Sequence, residues 1–291
     1  MKNSYFLLHL AVFLAGFTGV FGKLITLNEG LLTFYRVLFS AVILFIIVRF
    51  LKISNDTTNS EKKSIGTIGI LITVHWVFFY ASIKYSNISI GVICYCLTSF
   101  FTAVFKPIID RTKFRFTELL LSALTLAGIS LIFHFDTSYQ LGIILGVISS
   151  AFAALYTIYN ERLVQFYDSR LINYYQMISG SAFLLLLLPF YLYFFPVETV
   201  IPNLSDTIYL ILLALFCTVG LYVLFAEVLK KIPAFTVNLT FNLEPIYAIV
   251  IAFLFFNESK SVNTSFYVGI LFIISSVALQ TYTSSKEKSL D

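Results

Sequence analysis

Residues 239–259 read LTFNLEPIYAIVIAFLFFNES, a mostly apolar run of the length that crosses a lipid bilayer. Two residues in this run are energetically unfavourable in the hydrocarbon core of a bilayer. Glu244 brings a carboxylate into hydrocarbon, at about 2.5–3.5 kcal/mol on insertion scales. Pro245 removes a backbone hydrogen bond and clashes with the carbonyl four residues earlier. A membrane helix that keeps both residues indicates either a functional group or a helix bend at this point.

The rest of the chain resembles this stretch in composition. Its 291 residues are 59% hydrophobic and 12% charged, and the mean hydropathy is +0.91. Soluble domains carry about 25% charged residues. Apolar runs of membrane-spanning length recur from end to end, so we expect an all-α polytopic membrane protein in contact with the lipid bilayer.

Ten membrane-spanning helices are predicted. They fall at residues 4–22, 31–50, 65–84, 88–108, 116–134, 140–160, 171–194, 207–229, 234–256 and 265–284. With the N-terminus placed in the cytoplasm, fifteen of the 19 Lys and Arg residues lie on the cytoplasmic side. This asymmetry predicts that both termini are cytoplasmic and that the protein lies in the cytoplasmic membrane. The positive charges are divided among several loops, which argues against a nucleic-acid partner.

The two halves of the chain repeat each other weakly. A shift of 146 residues places Lys84 on Lys230 and Leu97 on Leu243. We therefore divide the chain into a first repeat, residues 1–137, and a second repeat, residues 138–291, with five spans each. Because five is odd, the second repeat crosses the membrane in the opposite sense. Inverted repeats of this kind are typical of secondary transporters.

Several motifs then point to one family. Lys23 ends the first span, Tyr35-Arg36 opens the second, and LEPIYAIVIAFLFFNES carries a Leu-Glu-Pro followed by Asn257-Glu258. Over its whole length the chain resembles the drug/metabolite transporter superfamily, EamA-like branch. The resemblance implies a bacterial carrier that moves amino acids or similar small metabolites, with export as the first expectation. It also implies alternating access through a central cavity between the two halves.

The first half departs from the family pattern at the decisive position. Thr98-Ser99 stand where the second half has Glu244-Pro245. A role for the Glu-Pro pair is therefore not expected to be symmetric.

Glu244 admits two interpretations. An intramembrane carboxylate can carry a proton or bind a substrate amine, and it can equally be a hydrogen-bonded group that fixes a helix bend. In a regular helix Asn238 and Asn242 share one face, whereas Glu244 lies about 200° around the axis from Asn242. We therefore expect the two asparagines to face the cavity and assign Glu244 and Pro245 to coupling or gating.

Polar and aromatic side chains at mid-depth are the other binding candidates. The third span has the most polar and aromatic face, around His75, which is either a proton-coupling group or a packed hydrogen-bond donor. Substrate binding is assigned to His75, Trp76, Tyr80, Tyr95, Tyr156, Tyr222, Asn238 and Asn242.

Arg36 also has two interpretations. It lies near the outer surface, where its long side chain could reach the lipid headgroups. Alternatively it attracts a substrate carboxylate or pairs with an acidic group. We place it at the periphery of the cavity, with a gating role.

Enzyme and metal motifs are absent from the sequence. It contains no GxxxxGK[ST], HExxH or GxSxG pattern and no Cys/His cluster, so we expect no enzyme activity, no cofactor and no metal. The expected partners are a small-molecule substrate and a coupling proton. The sequence does not predict the oligomeric state. Two alternatives to a carrier stay open: a membrane-embedded enzyme that uses His75 and Glu244, and a passive channel.

Overall fold

The computed structural model describes residues 2–54, 57–132, 139–247 and 264–287. In these residues all regular secondary structure is helical. The α-helices are α1 (Lys2–Leu24), α2 (Glu29–Phe50), α3 (Asn59–Lys84), α4 (Ile88–Tyr95), α5 (Leu97–Asp110), α6 (Phe116–Ile132), α7 (Gln140–Leu163), α8 (Ser169–Phe194), α9 (Leu204–Ala214), α10 (Leu221–Leu229), α11 (Ala234–Phe241) and α12 (Thr264–Glu287). A π-helical segment, Leu215–Gly220, joins α9 to α10.

Within the described residues, seven apolar helical runs are long enough to cross a membrane. They are Asn3–Leu24, Glu29–Phe50, Asn59–Lys84, Ile90–Asp110, Gln140–Leu163, Ser169–Phe194 and Leu204–Leu229. Shorter apolar helices occur at Phe116–Gly128 and Leu271–Gln280. The protein is therefore a multi-pass helical membrane protein, as the composition predicted. Residues 248–256 of the predicted span 234–256, with Asn257 and Glu258, lie outside the described residues.

The helices α3 and α8 approach each other very closely. A Cβ atom added at Gly69 would lie 2.4 Å from the Cα of Gln176, so no larger residue fits without moving the backbone. On its other side, α3 packs along α7. In α7 a Cβ at Gly146 would lie 2.5 Å from the Cβ of Cys94. Small residues therefore bring α3, α4, α7 and α8 into close contact around the centre of the protein.

Two helices are interrupted at membrane depth. The first interruption is at Cys96, between α4 and α5, where the Cys96 amide donates to the Ile93 carbonyl at 3.0 Å. The second follows α11, where the Asn242 amide donates to Leu239 at 3.1 Å. These are i→i−3 bonds, so the α-helical ladder ends there. Helical backbone resumes at residues 244–247.

The interruption changes the meaning of Pro245. One interpretation of the sequence was a bend in a continuous helix, with one backbone hydrogen bond lost. In the structure α11 has already ended at Phe241, and Pro245 lies in the first turn of the next helical stretch. The amides of a first turn have no partner within the helix, so proline costs little at this position.

The π-helical segment widens one turn of the α9–α10 run. Thr218 Oγ1 donates to the Leu213 carbonyl, five residues earlier, at 3.0 Å. Such a turn redirects nearby backbone carbonyls away from the regular helical ladder. The Cys217 carbonyl is consequently able to accept a hydrogen bond from another helix, α2.

Candidate functional site

Arg36 is a buried charge that three hydrogen bonds hold in place. Its side chain from α2 is 1% exposed. Nε donates to Thr218 Oγ1 at 2.8 Å, Nη1 to Tyr80 OH at 2.7 Å, and Nη2 to the Cys217 carbonyl at 2.9 Å. Of the two interpretations of Arg36, the one in which it reaches the headgroups is wrong, and the residue lies in the interior rather than at the periphery where we placed it. The helix α2 packs against α3 and the π-helical segment, which together draw the guanidinium inward.

The Trp76 ring packs against one face of this guanidinium. The Arg36 Cζ atom lies 3.9 Å from the centroid of the Trp76 ring, which is cation–π geometry. The indole Nε1 of Trp76 donates to Tyr222 OH at 3.1 Å, and the two rings meet edge to face. The tryptophan is therefore held from both sides, and its face is directed at the cation.

The charge of Arg36 is not neutralised at close range. Across the described residues, no carboxylate oxygen lies within 4.0 Å of its guanidinium. A buried ion without a counter-ion costs several kcal/mol. Three neutral acceptors and one cation–π contact offset part of this cost, the latter by about 2 kcal/mol in a desolvated site.

A small cavity opens next to Arg36. Its volume is about 20 Å³, which is room for roughly one water molecule. The polar residues that line it are Thr18, Arg36, His75, Trp76, Tyr95, Tyr222 and Glu244. A metabolite of several heavy atoms does not fit this volume.

Glu244 brings a carboxylate to the same cavity. Its side chain is 3% exposed. Among the residues that the structure describes, it has neither an ion pair nor a hydrogen bond. Helical spacing predicted that Asn238 and Asn242, rather than Glu244, would face the cavity. That prediction is wrong because α11 ends at Phe241, so the continuous 100° rotation per residue does not extend to Glu244.

The two asparagines instead join helices. Asn238 Nδ2 donates to Thr102 Oγ1 of α5 at 2.7 Å, and its amide oxygen accepts from Thr157 of α7 at 3.2 Å. Asn242 Nδ2 donates to Ser99 Oγ of α5 at 3.0 Å. Both side chains are 1% exposed and neither lines the cavity. These hydrogen bonds connect the interrupted helix of the second half to the interrupted helix of the first half.

His75 is fixed by a serine of α7. Its Nδ1 lies 3.0 Å from the Ser149 carbonyl and 2.8 Å from Ser149 Oγ, while that hydroxyl donates to the His75 carbonyl at 3.1 Å. Because a carbonyl oxygen can only accept, Nδ1 carries the proton in this arrangement. The imidazole also packs on Tyr95, with ring centroids 5.3 Å apart.

The eight predicted binding residues therefore separate into four groups, of which the two asparagines are one. His75, Trp76, Tyr95 and Tyr222 line the cavity with Glu244 and Arg36. Tyr80 lies behind Arg36 and orients it.

Tyr156 belongs to a separate buried network, with Gln176 and Asn160. Its hydroxyl donates to Gln176 Oε1 at 3.3 Å, and Gln176 Nε2 donates to Asn160 Oδ1 at 3.0 Å. This network does not line the cavity.

Sequence reasoning missed Thr218 and the Cys217 carbonyl. No sequence pattern that we used reveals a π-helical turn. The apolar cavity residues Ala15, Phe79, Leu221 and Phe241 were also missed. They are indistinguishable in sequence from the many other apolar residues of their helices.

Apolar helices of membrane-spanning length thus surround a small cavity that several polar side chains line. The model of the EamA-like transporter family matches residues 2–134 and again residues 140–282. The chain belongs to the EamA-like transporter family.

Two further proteins are similar to this chain. An uncharacterized transporter of Clostridium kluyveri is 23% identical over 308 aligned positions, which cover 99% of this chain and 95% of the relative. A solved crystal structure superposes with a TM-score of 0.76 at 13% identity, covering 98% of this chain and 99% of the other. The second likeness shows a shared fold. Membership of the family implies transport of small molecules across a membrane.

Proposed function

We propose that this protein is a secondary carrier that exports amino-acid-like metabolites across the cytoplasmic membrane by alternating access. The observation that carries the proposal is the occluded polar cavity. Helices α1 to α4 contribute Arg36, His75 and Tyr95, while the second half contributes Tyr222 and Glu244. A site shared by two halves of a chain can be exposed to either side when the halves rock against each other.

Helix bounds support two inverted five-span repeats, residues 1–137 and 138–291. Ile88–Tyr95 and Ala234–Phe241 are both eight residues long and are related by a shift of 146. Asn59–Lys84 and the run Leu204–Leu229 are both 26 residues long at nearly the same shift. With five spans per repeat the total is ten, and both termini lie in the cytoplasm.

Closures at the two ends support alternating access. At the outer end, Thr26 donates from its amide and its hydroxyl to the Asp206 carboxylate, at 2.9 and 2.6 Å. At the cytoplasmic end, the Glu161 carboxylate accepts from Lys106 at 2.5 Å and from the Ala234 amide at 2.9 Å. Both closures join the two halves. We expect each half-cycle to break one closure and keep the other.

The cavity wall favours the substrate class. Aromatic rings of Trp76, Tyr95 and Tyr222 surround few fixed charges, which suits a small solute with an apolar part. Glu244 is the group that would receive a substrate amine or, in its absence, a coupling proton.

Reconstitution into liposomes tests the proposal. Purified protein is assayed for uptake of each of the twenty standard amino acids, labelled, with and without a pH gradient. A carrier gives saturable uptake that unlabelled substrate on the opposite side accelerates. Uptake without saturation or trans-acceleration indicates a passive channel. A chemically altered product indicates an enzyme. No flux of any amino acid, compared with protein-free liposomes, would refute the proposed substrate class.

Export is tested by orientation. In inside-out membrane vesicles the exporter should accumulate substrate when a proton gradient is imposed, whereas right-side-out vesicles should lose it. The opposite pattern would assign import.

A further inference from the structure

The guanidinium of Arg36 has unused donors. Arginine offers five N–H groups, and three of those in Arg36 donate to Thr218, Tyr80 and Cys217. The other two have no acceptor within the part of the chain that the structure describes. Arg36 also lines the cavity, so a solute there could reach them. Unpaired donors on a buried cation are the chemical complement of an anion.

The surroundings fix the plane of this guanidinium. Thr218 Oγ1 is itself held by its bond to the Leu213 carbonyl, and the Cys217 carbonyl is held by the π-helical segment. The Trp76 ring supports the guanidinium from one face. A planar donor held in this way favours a planar acceptor with two oxygens, since both bonds can form at once.

The charge of the cavity limits the anion to one negative charge. Glu244 lines the same cavity, and the structure describes no second cation there. A phosphate dianion would bring two further negative charges next to one arginine and one carboxylate. A carboxylate brings one, which Arg36 balances, and a positive group on the same solute can face Glu244.

We infer that Arg36 is the carboxylate subsite of the cargo cavity and that it selects solutes with a single carboxylate. The inference rests on the proposed carrier function and names the group by which the cargo is recognised. Tyr80, Thr218 and the Cys217 carbonyl are positioning groups that act through Arg36.

Trp76 provides a direct signal for the test. It is the only tryptophan in the chain, and its ring lies against the Arg36 guanidinium. Emission of detergent-purified protein is titrated with the twenty standard amino acids. For the amino acid that binds most tightly, the primary amide is then titrated. The amide keeps the size and the amine but lacks the negative charge.

We expect the amide to bind wild-type protein more weakly than the acid, by on the order of ten- to a hundredfold. Arg36→Gln should weaken binding of the acid by a similar factor. The ratio of the affinity for the acid to the affinity for the amide should then be about one. Arg49→Gln is the matched control, because Arg49 lies on the same helix with an exposed side chain. It should leave the ratio unchanged.

Three results would overturn the inference. In the first, the wild-type protein binds the amide as tightly as the acid. In the second, Arg36→Gln keeps the wild-type ratio of acid to amide affinity. In the third, liposomes show amino-acid carrier activity while no amino acid changes Trp76 emission. The last result would leave the proposed function intact. Absence of both flux and binding would refute the proposed function as well. If Arg36→Gln fails to fold, the test compares the ratio of acid to amide affinity in wild-type protein with that in Arg36→Lys. The lysine variant should keep a reduced preference for the acid.

Discussion

The two helix interruptions occupy equivalent positions in the two halves of the chain, yet their chemistry differs. After Cys96 the first half continues with neutral residues, including Thr98. After Asn242 the second half continues with Glu244, at the position equivalent to Thr98 under the shift of 146. The first interruption therefore supplies packing surface and the second supplies a charge to the cavity. Equivalent backbone geometry does not imply equivalent function.

The second difference between the halves lies close to the first. The run Leu204–Leu229 contains the π-helical segment, whereas Asn59–Lys84 is a continuous α-helix. This segment provides two of the three acceptors that orient Arg36. Both departures from symmetry thus bear on one cavity: Glu244 lines it, and the π-helical segment orients Arg36, which also lines it.

The largest expected effect is that of Glu244→Gln compared with Thr98→Val. Loss of the cavity carboxylate removes the counter-charge of a bound amine and should reduce the uptake rate by about a hundredfold. Within the described residues Thr98 Oγ1 is buried without a hydrogen-bond partner, so Thr98→Val should change uptake by less than about twofold. Initial rates in liposomes, corrected for the amount of reconstituted protein, give the comparison. Equal losses in the two variants would contradict the asymmetry.

A smaller effect is expected for Thr218→Val. The substitution removes the Oγ1 atom that accepts from Arg36 Nε at 2.8 Å and should weaken substrate affinity by about tenfold. Thr207→Val is the control, since the Thr207 hydroxyl donates to the exposed end of α9. Half-saturation concentrations measure both variants. Unchanged affinity in Thr218→Val would separate the π-helical segment from the binding site.

Asn238→Ala should affect stability rather than transport. It removes hydrogen bonds to Thr102 and Thr157, which in membrane proteins are worth about 0.6 kcal/mol each on average. Thermal unfolding in detergent should therefore shift downwards, with substrate affinity unchanged. The double variant with Thr102→Ala tests the contact: its stability loss should be smaller than the sum of the single losses. A loss of substrate affinity without a loss of stability would indicate that Asn238 contributes to the cavity.

The smallest effect is expected for Pro245→Ala. Because Pro245 lies in a first helical turn, its replacement should change the free energy of unfolding by less than about 1 kcal/mol. Leu212→Pro, in the interior of α9, should cost about 3 kcal/mol or more. Equilibrium unfolding in mixed detergent compares the two. A large effect of Pro245→Ala would indicate a continuous bent helix.

Composition and apolar run length were enough to predict the fold class, since few other proteins combine 12% charge with repeated apolar runs of spanning length. The sequence also predicted the polar and aromatic face of α3, and His75 and Trp76 line the cavity. Arg36 was misplaced because its environment depends on a carbonyl from residue 217, far away in sequence. The directions of Asn242 and Glu244 were misjudged because a period of 3.6 residues holds only while the helix continues.

Thiol labelling at positions 242 and 244 tests the central claim most directly. Glu244→Cys and Asn242→Cys are compared in liposomes with a small membrane-permeant thiol reagent. The native cysteines, Cys94, Cys96 and Cys217, are buried, and wild-type protein gives the baseline. We predict that Glu244→Cys reacts faster than Asn242→Cys by about tenfold or more, because reaction requires access of the reagent. Faster labelling of Asn242→Cys would contradict the account.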